Sequence, residues 1–342
     1  MREEKIIDVS SGICPLGPSN KVKATVRRAV KEIKGRPDAA IARLERLFSS
    51  KFGIEDDRIF FANSVRELVS TVMRALGPKR VLIVGPALHL YEDAASKACA
   101  EAIYLDTSEE SGFAVDADRI IKEPDGVDLV FIANPNRISG RSVDGVALSR
   151  VLEISAQKNL FVVIDESLME FTGEDSFDHV AAAGRNVITI RTTAHFYGLP
   201  GLELAYAVSD QPVIRQLRKV KDCSLNLLSV EAARTALKDK TYGKLTRRFI
   251  AGEKELLAKE LGKVAGVTYY DSDSNVYLVK VERPGERISD SFLRSGLLIK
   301  DCSGIAGLGK SFLRLSVMSH DRNLKLLRLM KTSVPPSVSP AG

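Results

Sequence analysis

The chain has 342 residues, and its 50 lysines and arginines exceed its 44 aspartates and glutamates, which gives a formal net charge of +6 at pH 7. No apolar run approaches the roughly 18 residues that cross a bilayer, and the first residues hold no apolar signal core, so we expect a cytoplasmic protein without a membrane partner. The four cysteines (Cys14, Cys99, Cys223 and Cys302) lie far apart without a Cys-x-x-Cys pair, so neither a disulfide scaffold nor a metal site is predicted.

The basic residues raise the question of nucleic acid. They concentrate in Lys21–Arg36, Arg215–Lys221 and Lys244–Arg248. Apolar residues recur there at spacings of three and four, and aromatic residues do not alternate with the basic ones. This pattern favours solvated faces of amphipathic helices over a nucleic-acid surface.

Short apolar runs alternate with helical patterns through the first two thirds of the chain, which is typical of an α/β sheet covered on both faces. The predicted elements are, in chain order, helix Val65–Leu76, strand Arg80–Val84, helix Tyr91–Cys99, strand Val127–Ala133, helix Gly145–Gln157, and strands Leu160–Asp165, Asn186–Arg191 and Leu204–Ser209. Such sheets bind ligands beyond the carboxyl ends of their strands.

The remaining third indicates a smaller α+β domain. Its predicted elements are a long helix Ser229–Leu261, strand Val267–Tyr270, strand Asn275–Val281, helix Ile288–Arg294, strand Phe312–Val317 and helix Arg322–Met330. The last residues, TSVPPSVSPAG, are rich in proline and serine, so residues 332–342 are predicted to be disordered.

Seven segments together resemble a known family. They are DVSSGICPLGPS from Asp8, FANSVRELV from Phe61, RVLIVGPALHLYEDAA from Arg80, NPNRISG from Asn134, VVIDESLMEF from Val162, RTTAHFYGLPGLELAYAV from Arg191 and LIKDCSGIAGLGKSFLRLSV from Leu298. In this order they are similar to class I aminotransferases, in the branch of threonine-phosphate decarboxylase and histidinol-phosphate aminotransferase. The last segment resembles the decarboxylase more.

The resemblance implies the pyridoxal-phosphate fold type I, an α/β large domain with a mostly parallel sheet and a smaller α+β domain. It divides the chain into an N-terminal arm and helix associated with the small domain (residues 1–36), a large domain (37–245) and a small domain (246–331). Proteins of this fold usually form dimers with the active site at the subunit boundary. A homodimer, or a heterodimer with an active relative, is therefore expected.

The family's chemistry assigns roles to particular positions. The cofactor's aldehyde condenses with a lysine, its ring nitrogen bonds a strand-end aspartate, and its phosphate lies at a helix amino terminus. By resemblance, Asp165 matches the aspartate, Ser64 begins the helix, and Arg314 matches the arginine that clamps a substrate carboxylate. The resemblance thus implies a small anionic, amino-acid-like ligand.

Several positions depart from the family pattern. His195 stands at the position of the Schiff-base lysine, and imidazole forms no aldimine. An arginine that contacts the phosphate is replaced by Glu203, and a charge of the opposite sign repels a phosphate dianion. Arg137 replaces the asparagine that bonds the ring hydroxyl, and Cys14 replaces an asparagine near the substrate.

Smaller departures point the same way. Leu88, beside His89, replaces the aromatic residue that stacks on the ring, and Leu168 replaces a tyrosine. The glycine-rich phosphate turn is replaced by Ala62–Arg66. From these changes we expect that the chain has no bound cofactor and a degenerate site.

Two local predictions concern the beginning of the helix at Ser64. Ser64 and Glu67 have the spacing of a capping box, which favours helix capping without a ligand. Arg66 and Arg137 are new positive charges near the new negative charge of Glu203. One of them is predicted to pair with Glu203 and to fill the space of the phosphate.

Four functions remain open, and the sequence leaves undecided whether the chain is an enzyme. The first is a non-catalytic or repurposed homologue that acts as a structural or regulatory partner. The second is a pyridoxal- or pyridoxamine-phosphate-dependent aminotransferase or lyase that uses His195 as general base. The third is a pocket for other chemistry or sensing, lined by His195, Asp165, His89 and Arg314. The fourth is a nucleic-acid role or a working lysine hidden by misalignment.

Overall fold

The computed structural model describes residues 6–122, 126–184, 186–282 and 284–334. The strands in this part of the chain form a seven-stranded sheet, a four-stranded sheet and a two-stranded pair. Their bounds are β1 Ile7–Asp8, β2 Ile59–Ala62, β3 Arg80–Val84, β4 Glu101–Leu105, β5 Leu129–Ala133, β6 Phe161–Asp165, β7 Val187–Thr192, β8 Ala205–Val208, β9 Val267–Tyr269, β10 Val276–Val281, β11 Leu297–Leu298, β12 Lys300–Asp301 and β13 Phe312–Ser316.

The α-helices connect these strands and cover the sheets. Their bounds are α1 Asn20–Ala29, α2 Asp38–Phe52, α3 Val65–Leu76, α4 His89–Lys97, α5 Ala117–Ile121, α6 Gly145–Gln157, α7 Met169–Thr172, α8 Asp178–Ala183, α9 Gln211–Lys219, α10 Leu227–Lys238, α11 Lys240–Leu261, α12 Gly285–Arg294 and α13 His320–Ser333. Among the described residues, none of these helices combines the length and the apolar character needed to cross a membrane.

The large sheet has the order β2-β8-β7-β6-β5-β3-β4. Strands β4, β3, β5, β6 and β7 are parallel neighbours, whereas β8 runs antiparallel to both β7 and β2. The predicted α/β class with a mostly parallel sheet is therefore confirmed. Because the central strands are parallel, their carboxyl ends meet at one edge, where ligands bind in sheets of this kind.

The central strands are apolar on both faces because helices cover both faces. Along β3, Leu82 and Val84 pack into one hydrophobic core, while Val81 and Ile83 pack into the core on the opposite face. The continuous apolar run Arg80–Val84 was therefore a correct signal for a buried parallel strand.

The small sheet has the order β12-β13-β10-β9, with antiparallel pairing throughout. Helices α12 and α13 pack on it, and the core there includes Phe292, Leu315 and Leu327. The short strand β1 pairs in parallel with β11, which ties the N-terminal arm to this region.

Two sequence-based predictions of elements are corrected. The predicted single helix Ser229–Leu261 is two helices, α10 and α11, which are separated at Asp239; its carboxylate accepts a hydrogen bond from the amide of Tyr242 and begins α11. The predicted disordered tail begins too early, because Thr332 belongs to helix α13. The rest of that tail, residues 335–342, lies outside the described residues.

Candidate functional site

Asp165 lies fully buried at the carboxyl end of the central strand β6. Its Oδ2 accepts a hydrogen bond from the hydroxyl of Tyr91 at 2.6 Å, and its Oδ1 accepts one from the backbone amide of Ser167 at 2.9 Å. Tyr91 also stacks on Phe131, with ring centroids 4.9 Å apart. Burial and the neighbouring carboxylate raise the pKa of Tyr91 well above its usual value. The hydroxyl therefore stays protonated and donates a hydrogen bond to Asp165.

Arg137 bridges Asp165 and His195. Its Nη1 lies 3.5 Å from Oδ2 of Asp165, and its Nη2 lies 2.9 Å from Nε2 of His195. The side chain of Asn136 positions this loop, because its Oδ1 accepts hydrogen bonds from the amides of Ile138 and Ser139. Burial opposes the charge of Arg137, but the carboxylates of Asp165 and Glu203 outweigh it and raise the pKa of the guanidinium.

His195 follows strand β7 in a turn whose backbone is anchored to the N-terminal arm. Its carbonyl accepts a hydrogen bond from the amide of Cys14 at 2.9 Å. Since a guanidinium can only donate, the contact with Arg137 makes Nε2 of His195 the acceptor, and the proton of the neutral ring is assigned to Nδ1, on the side of Gly12. Burial and the charges of Arg137 and Arg314 lower the pKa of His195 well below its usual value, so the imidazole is neutral at pH 7.

Glu203 lies at the amino terminus of helix α3. Its Oε1 accepts a hydrogen bond from the backbone amide of Val65 at 3.1 Å and another from the hydroxyl of Thr192 at 2.8 Å. A carboxylate is stable in this position because the helix dipole and the free amides of the first turn favour negative charge.

The predicted capping box at this helix is confirmed in its main contact. The Oγ of Ser64 accepts a hydrogen bond from the amide of Glu67 at 3.1 Å. The carboxylate of Glu67 reaches back to the amide of Asn63 at 3.0 Å, one residue before the N-cap.

The prediction that Arg66 or Arg137 pairs with Glu203 is wrong, because the ion pairs and hydrogen bonds of both side chains among the described residues go to other groups. Arg66 instead forms an exposed ion pair with Asp93, at 3.2 Å, because the first turn of α3 turns its side chain toward α4. Arg137 influences Glu203 through its charge, while its hydrogen bonds go to Asp165 and His195. The carboxylate of Glu203, rather than an arginine, therefore lies in the space predicted for the phosphate. It accepts hydrogen bonds from the amide of Val65 and the hydroxyl of Thr192.

Arg314 lies buried on strand β13 of the small sheet, next to the same region. Its Nη1 donates to the carbonyl of Arg137 at 2.6 Å, and its Nη2 donates to the carbonyl of Ser10. Burial, together with the charge of Arg137, lowers the pKa of Arg314 to about 10. Both terminal nitrogens that would form a bidentate fork with a carboxylate are therefore engaged by the backbone.

A cavity of about 390 Å³ opens beside these groups. Ser64, Arg137, His195 and Glu203 line it, as the resemblance predicted for one site; further lining residues include Arg66, Leu88, His89, Lys300 and Ile13. Sequence reasoning did not assign Lys300, which lies in the segment LIKDCS beside strand β13. The register of β12 with β13, which pairs Lys300 with Arg314, is the signal that would have placed it here.

Four predicted site residues lie away from the cavity lining: Asp165, Arg314, Cys14 and Leu168. The predicted pocket lined by His195, His89, Asp165 and Arg314 is therefore wrong for Asp165 and Arg314, which are buried and contact Arg137 instead. The thiol of Cys14 is buried and faces the hydroxyl of Tyr242 at 4.0 Å, and burial raises its pKa. The neighbouring Ile13 lines the cavity instead. Leu168 is buried at the start of α7, in the core with Phe171 and Phe196. In the part of the chain that the structure describes, no cluster of three or more histidine, cysteine, aspartate or glutamate side chains could hold a metal ion.

Sequence reasoning also missed a buried charge cluster next to Asp165. Arg191 on β7 donates to Glu170 at 2.9 Å and to Asp178 at 3.0 Å, and its Nε lies 4.0 Å from Glu166. Three carboxyl groups thus surround one guanidinium. Burial, together with the nearby Asp178, raises the pKa of Glu166 to about 8.

The comparison with protein families decides the identity of this fold. The family described as aminotransferase class I and II matches residues 4–329. The chain belongs to the class I and II aminotransferases. Its parallel sheet, with Asp165 at the carboxyl end of β6, agrees with this membership, and the resemblance based on seven segments is confirmed.

Individual members of the family show which aminotransferases and decarboxylases this chain is similar to. It is 30% identical over 332 residues to histidinol-phosphate aminotransferase 2 from Archaeoglobus fulgidus, with 96% of this chain and 93% of the relative covered. A solved structure of histidinol-phosphate aminotransferase from Clostridium acetobutylicum has 25% identity and a TM-score of 0.89, covering 96% and 98% of the two chains. L-threonine-O-3-phosphate decarboxylase from Porphyromonas gingivalis shares the fold at 21% identity, with a TM-score of 0.84 and coverage of 96% and 99%.

The expectation that the chain has no cofactor is wrong in the light of this family. Aminotransferases of classes I and II depend on pyridoxal phosphate, which contradicts the expectation. A solved structure of histidinol-phosphate aminotransferase from Sinorhizobium meliloti is a complex with pyridoxal-5'-phosphate, and it shares the fold at 18% identity with a TM-score of 0.84 and coverage of 96% and 91%. The sequence argument failed because it inferred loss of binding from separate substitutions.

The side chains around Asp165 do not fit a covalently held cofactor in the observed arrangement. Arg137 lies between Asp165 and His195, the positions that the resemblance assigns to the ring nitrogen and to the aldehyde. The carboxylate of Glu203 occupies the helix terminus that the resemblance assigns to the phosphate. His195 offers an imidazole, which cannot condense with an aldehyde to a stable imine.

Proposed function

We propose that this chain is a non-catalytic or repurposed homologue of threonine-phosphate decarboxylase and histidinol-phosphate aminotransferase, unable to form an internal aldimine. The observation that carries the proposal is the bridge of Arg137 between Asp165 and His195. The guanidinium of Arg137 is permanently charged and cannot act as a nucleophile. It lies between Asp165 and the position at which the family has its lysine amine. The proposal concerns the covalent link to the cofactor and catalytic turnover. It makes no statement about non-covalent binding of pyridoxal phosphate.

The role of such a chain would come from its surface and its partners. Family members are typically dimeric, so we propose either a homodimer or a heterodimer with an active relative. In a heterodimer this chain would support the site of the active subunit. Isolation of the complex from the native cell, followed by its mass, separates the two arrangements.

The covalent link is tested by trapping. The purified protein is mixed with pyridoxal phosphate, reduced with borohydride, digested and examined by mass spectrometry for a pyridoxyl adduct. We expect no adduct on residues that line the cavity, while an active histidinol-phosphate aminotransferase treated in parallel gains one on its lysine. The variant Lys300→Arg serves as the matched control, because Lys300 lines the same cavity. An adduct in the native protein that disappears in this variant would show a working amine and refute the proposal.

Turnover is tested with the substrates that the names of the relatives supply. Threonine phosphate and histidinol phosphate, each with pyridoxal phosphate present, should give neither decarboxylation nor amino transfer. Catalysis by the native chain with either substrate would refute the proposal, and its loss in His195→Phe would favour the second function below.

A second candidate function rests on His195 itself. Its imidazole is neutral at pH 7 and therefore able to accept a proton, as a general base for a substrate bound with the amine form of the cofactor requires. However, Nε2 already accepts a hydrogen bond from Arg137, and the low pKa makes the ring a weak base. Exchange of a C4′ hydrogen of pyridoxamine phosphate for deuterium in the presence of a 2-oxo acid, abolished in His195→Phe, would favour this function over the first.

A further inference from the structure

Two of the three basic stretches of the sequence lie side by side in the fold. Helix α1 belongs to one of them, and the beginning of helix α11 holds another. Nζ of Lys21 in α1 donates a hydrogen bond of 2.9 Å to the carboxylate of Asp239, which precedes α11. A groove of about 390 Å³, here called the α1–α11 groove, lies where the two helices begin, and its lining includes Leu16, Lys21, Lys23, Asp239, Tyr242 and Leu245. Among the described residues, it shares no lining residue with the cavity beside Arg137 and His195.

The α1–α11 groove has a strong positive charge. Residues 20–29 contain four lysines and arginines, residues 240–252 contain four more, and neither range holds an acidic residue. Among the described lining residues of the groove, Asp239 is the only acidic one; it is 7% exposed and is paired with Lys21. Lys23 and Lys244 are exposed to solvent. The charge of the groove is therefore available to a ligand outside the chain.

The lysines beside the groove lie at positions that do not favour the helices themselves. Lys21 is the second residue of α1, Lys240 is the first residue of α11, and neither helix has an acidic residue in its first turn. Because the helix dipole favours negative charge at the amino terminus, cations there reduce the stability of the helix. Helix formation therefore does not explain these lysines, whereas binding of an acidic partner does.

Two leucines of the groove are exposed to solvent. Leu16 is 37% and Leu245 is 58% exposed. The ring of Tyr242 lies beside them and is held in place, because its hydroxyl donates a hydrogen bond to the carbonyl of Gly17. An exposed apolar groove with a charged rim is typical of a protein interaction site.

The charge and the leucines together restrict the occupant of the groove. A second copy of this chain is disfavoured, because two-fold pairing of the same face would bring the lysines of both copies together. Nucleic acid is also disfavoured, because Leu16 and Leu245 offer no hydrogen bond to a phosphate or a base edge. An acidic peptide segment with an apolar side chain matches both features.

We propose that the α1–α11 groove binds an acidic segment of another protein, with an apolar side chain between Leu16 and Leu245 and carboxylates beside Lys23 and Lys244. Complementary charges of this kind speed the association and fix the orientation of the partner. The proposal names the chemistry of a partner, which goes beyond the proposed function. It does not depend on the absence of an aldimine, so either one can fail without the other.

The test begins with selection from a random peptide library displayed on phage, with the purified native chain as the target. We expect the selected peptides to be enriched in aspartate and glutamate around a leucine, isoleucine or phenylalanine. The most enriched sequence is then synthesised with a fluorescent label, and its Kd, measured by fluorescence anisotropy, should rise with salt concentration. A selection without enrichment of acidic residues would overturn the proposal. Displacement of the labelled peptide by polyuridylate at lower concentrations than by polyglutamate would assign the groove to nucleic acid and would also overturn it.

Charge reversal at the groove should separate binding from folding. The double variant Lys23→Glu with Lys244→Glu should bind the labelled peptide about tenfold or more weakly, because two attractions become repulsions. Its thermal unfolding should occur at the same or a higher temperature, since the new carboxylates lie near the amino termini of α1 and α11.

The matched control reverses two charges of the third basic stretch. Arg215→Glu with Lys219→Glu changes the net charge by the same amount on the exposed face of helix α9, away from the groove lining. This variant should bind the peptide within about twofold of the native chain, because screening weakens the effect of distant exposed charges. Equal weakening in the two double variants would show that only net charge matters and would overturn the proposal.

Leu245→Ser tests the apolar part of the groove. It should weaken peptide binding about tenfold while the salt dependence stays, because an apolar contact is lost and the charges remain. Leu293→Ser is the control, since Leu293 is a 44% exposed leucine on helix α12 and should not affect the peptide. The mass in solution, measured by light scattering, should be the same for Leu245→Ser and the native chain. Unchanged peptide binding in Leu245→Ser, or a lower mass that assigns the groove to a second copy, would overturn the proposal.

Discussion

The hydroxyl of Tyr91 and the carboxylate of Asp165 are joined by a buried hydrogen bond of 2.6 Å, although the residues are 74 positions apart. Helix α4 and strand β6 are thereby connected at the edge of the sheet where the site lies. Tyr91 and Arg137 thus both contact Oδ2 of Asp165, while the amide of Ser167 holds Oδ1.

Removal of this hydroxyl should destabilise the chain. Tyr91→Phe keeps the ring that stacks on Phe131 but leaves a buried carboxylate oxygen with one partner fewer, so we expect a loss of about 1–3 kcal/mol in the free energy of unfolding. Chemical denaturation measures it. In the control Tyr104→Phe, an exposed hydroxyl that donates to Glu92 is removed, and the change should stay within about 0.5 kcal/mol. Equal effects in the two variants would contradict the importance of the Asp165 contact.

Replacement of Arg137 should raise the pKa of His195. After burial, the positive charge of Arg137 is the largest cause of the low pKa, so Arg137→Met should move the pKa of the imidazole toward its ordinary value. An NMR titration of the ring signals follows this change. The chain has four histidines. His179 and His320 do not line the cavity and serve as internal controls, whose ring signals should be the same in both proteins. A pKa of His195 that stays the same would show that Arg137 does not set it.

The stability of the fold should fall as the pH rises from about 5 to about 8. Glu166 keeps its proton in the folded state up to about pH 8, whereas the unfolded chain releases it near the ordinary pKa of 4.5. The folded state therefore binds more protons in this window, and the free energy of unfolding should decrease by up to about 1.4 kcal/mol for each pH unit. Above about pH 8 the contribution of Glu166 becomes constant.

Denaturation curves at a series of pH values measure this slope. The groups that face Glu166 are Asp178, Arg191, the hydroxyl of Ser176 and the amide of Phe177. Glu166→Gln mimics the protonated acid, so the slope between pH 5 and 8 should become flatter in this variant. If the native slope persists in Glu166→Gln, another group is responsible for it.

Loss of the cap at helix α3 should cost stability without changing the chemistry of the cavity. Ser64→Ala removes the acceptor for the amide of Glu67, and we expect a loss of about 0.5–2 kcal/mol in the free energy of unfolding. Ser149→Ala is the control, because Ser149 lies exposed within helix α6 and bonds only to the carbonyl of Gly145. Its replacement should be neutral or slightly stabilising, since alanine favours the helix interior.

The sequence predicted the central elements well and the edges poorly. Helices Val65–Leu76 and Gly145–Gln157 and strand Arg80–Val84 have the predicted bounds, because each combines a clear apolar period with a cap or turn residue. Strand β4 was missed because Glu101–Leu105 lies at the edge of the sheet and is largely half-exposed, so its apolar pattern is weak.

The positions of the site residues were easier to predict than their contacts. The motifs brought Ser64, Arg137, His195 and Glu203 to one cavity, as the structure confirms. The partner of each side chain depends on rotamers and on residues that no motif marks. Asp93, which binds Arg66, and Thr192, which binds Glu203, belong to this class. The acidic cluster around Arg191 was missed for the same reason, because its members are spread over three elements.

The hydrogen bonds of Arg314 have a mechanical consequence. From the small sheet, this side chain holds the carbonyl of Ser10 in the N-terminal arm and the carbonyl of Arg137 in the loop after β5. A rotation of the small sheet against the large one would therefore displace the carbonyls of both Ser10 and Arg137. Because Arg137 in turn contacts His195, such a hinge movement would also displace the imidazole.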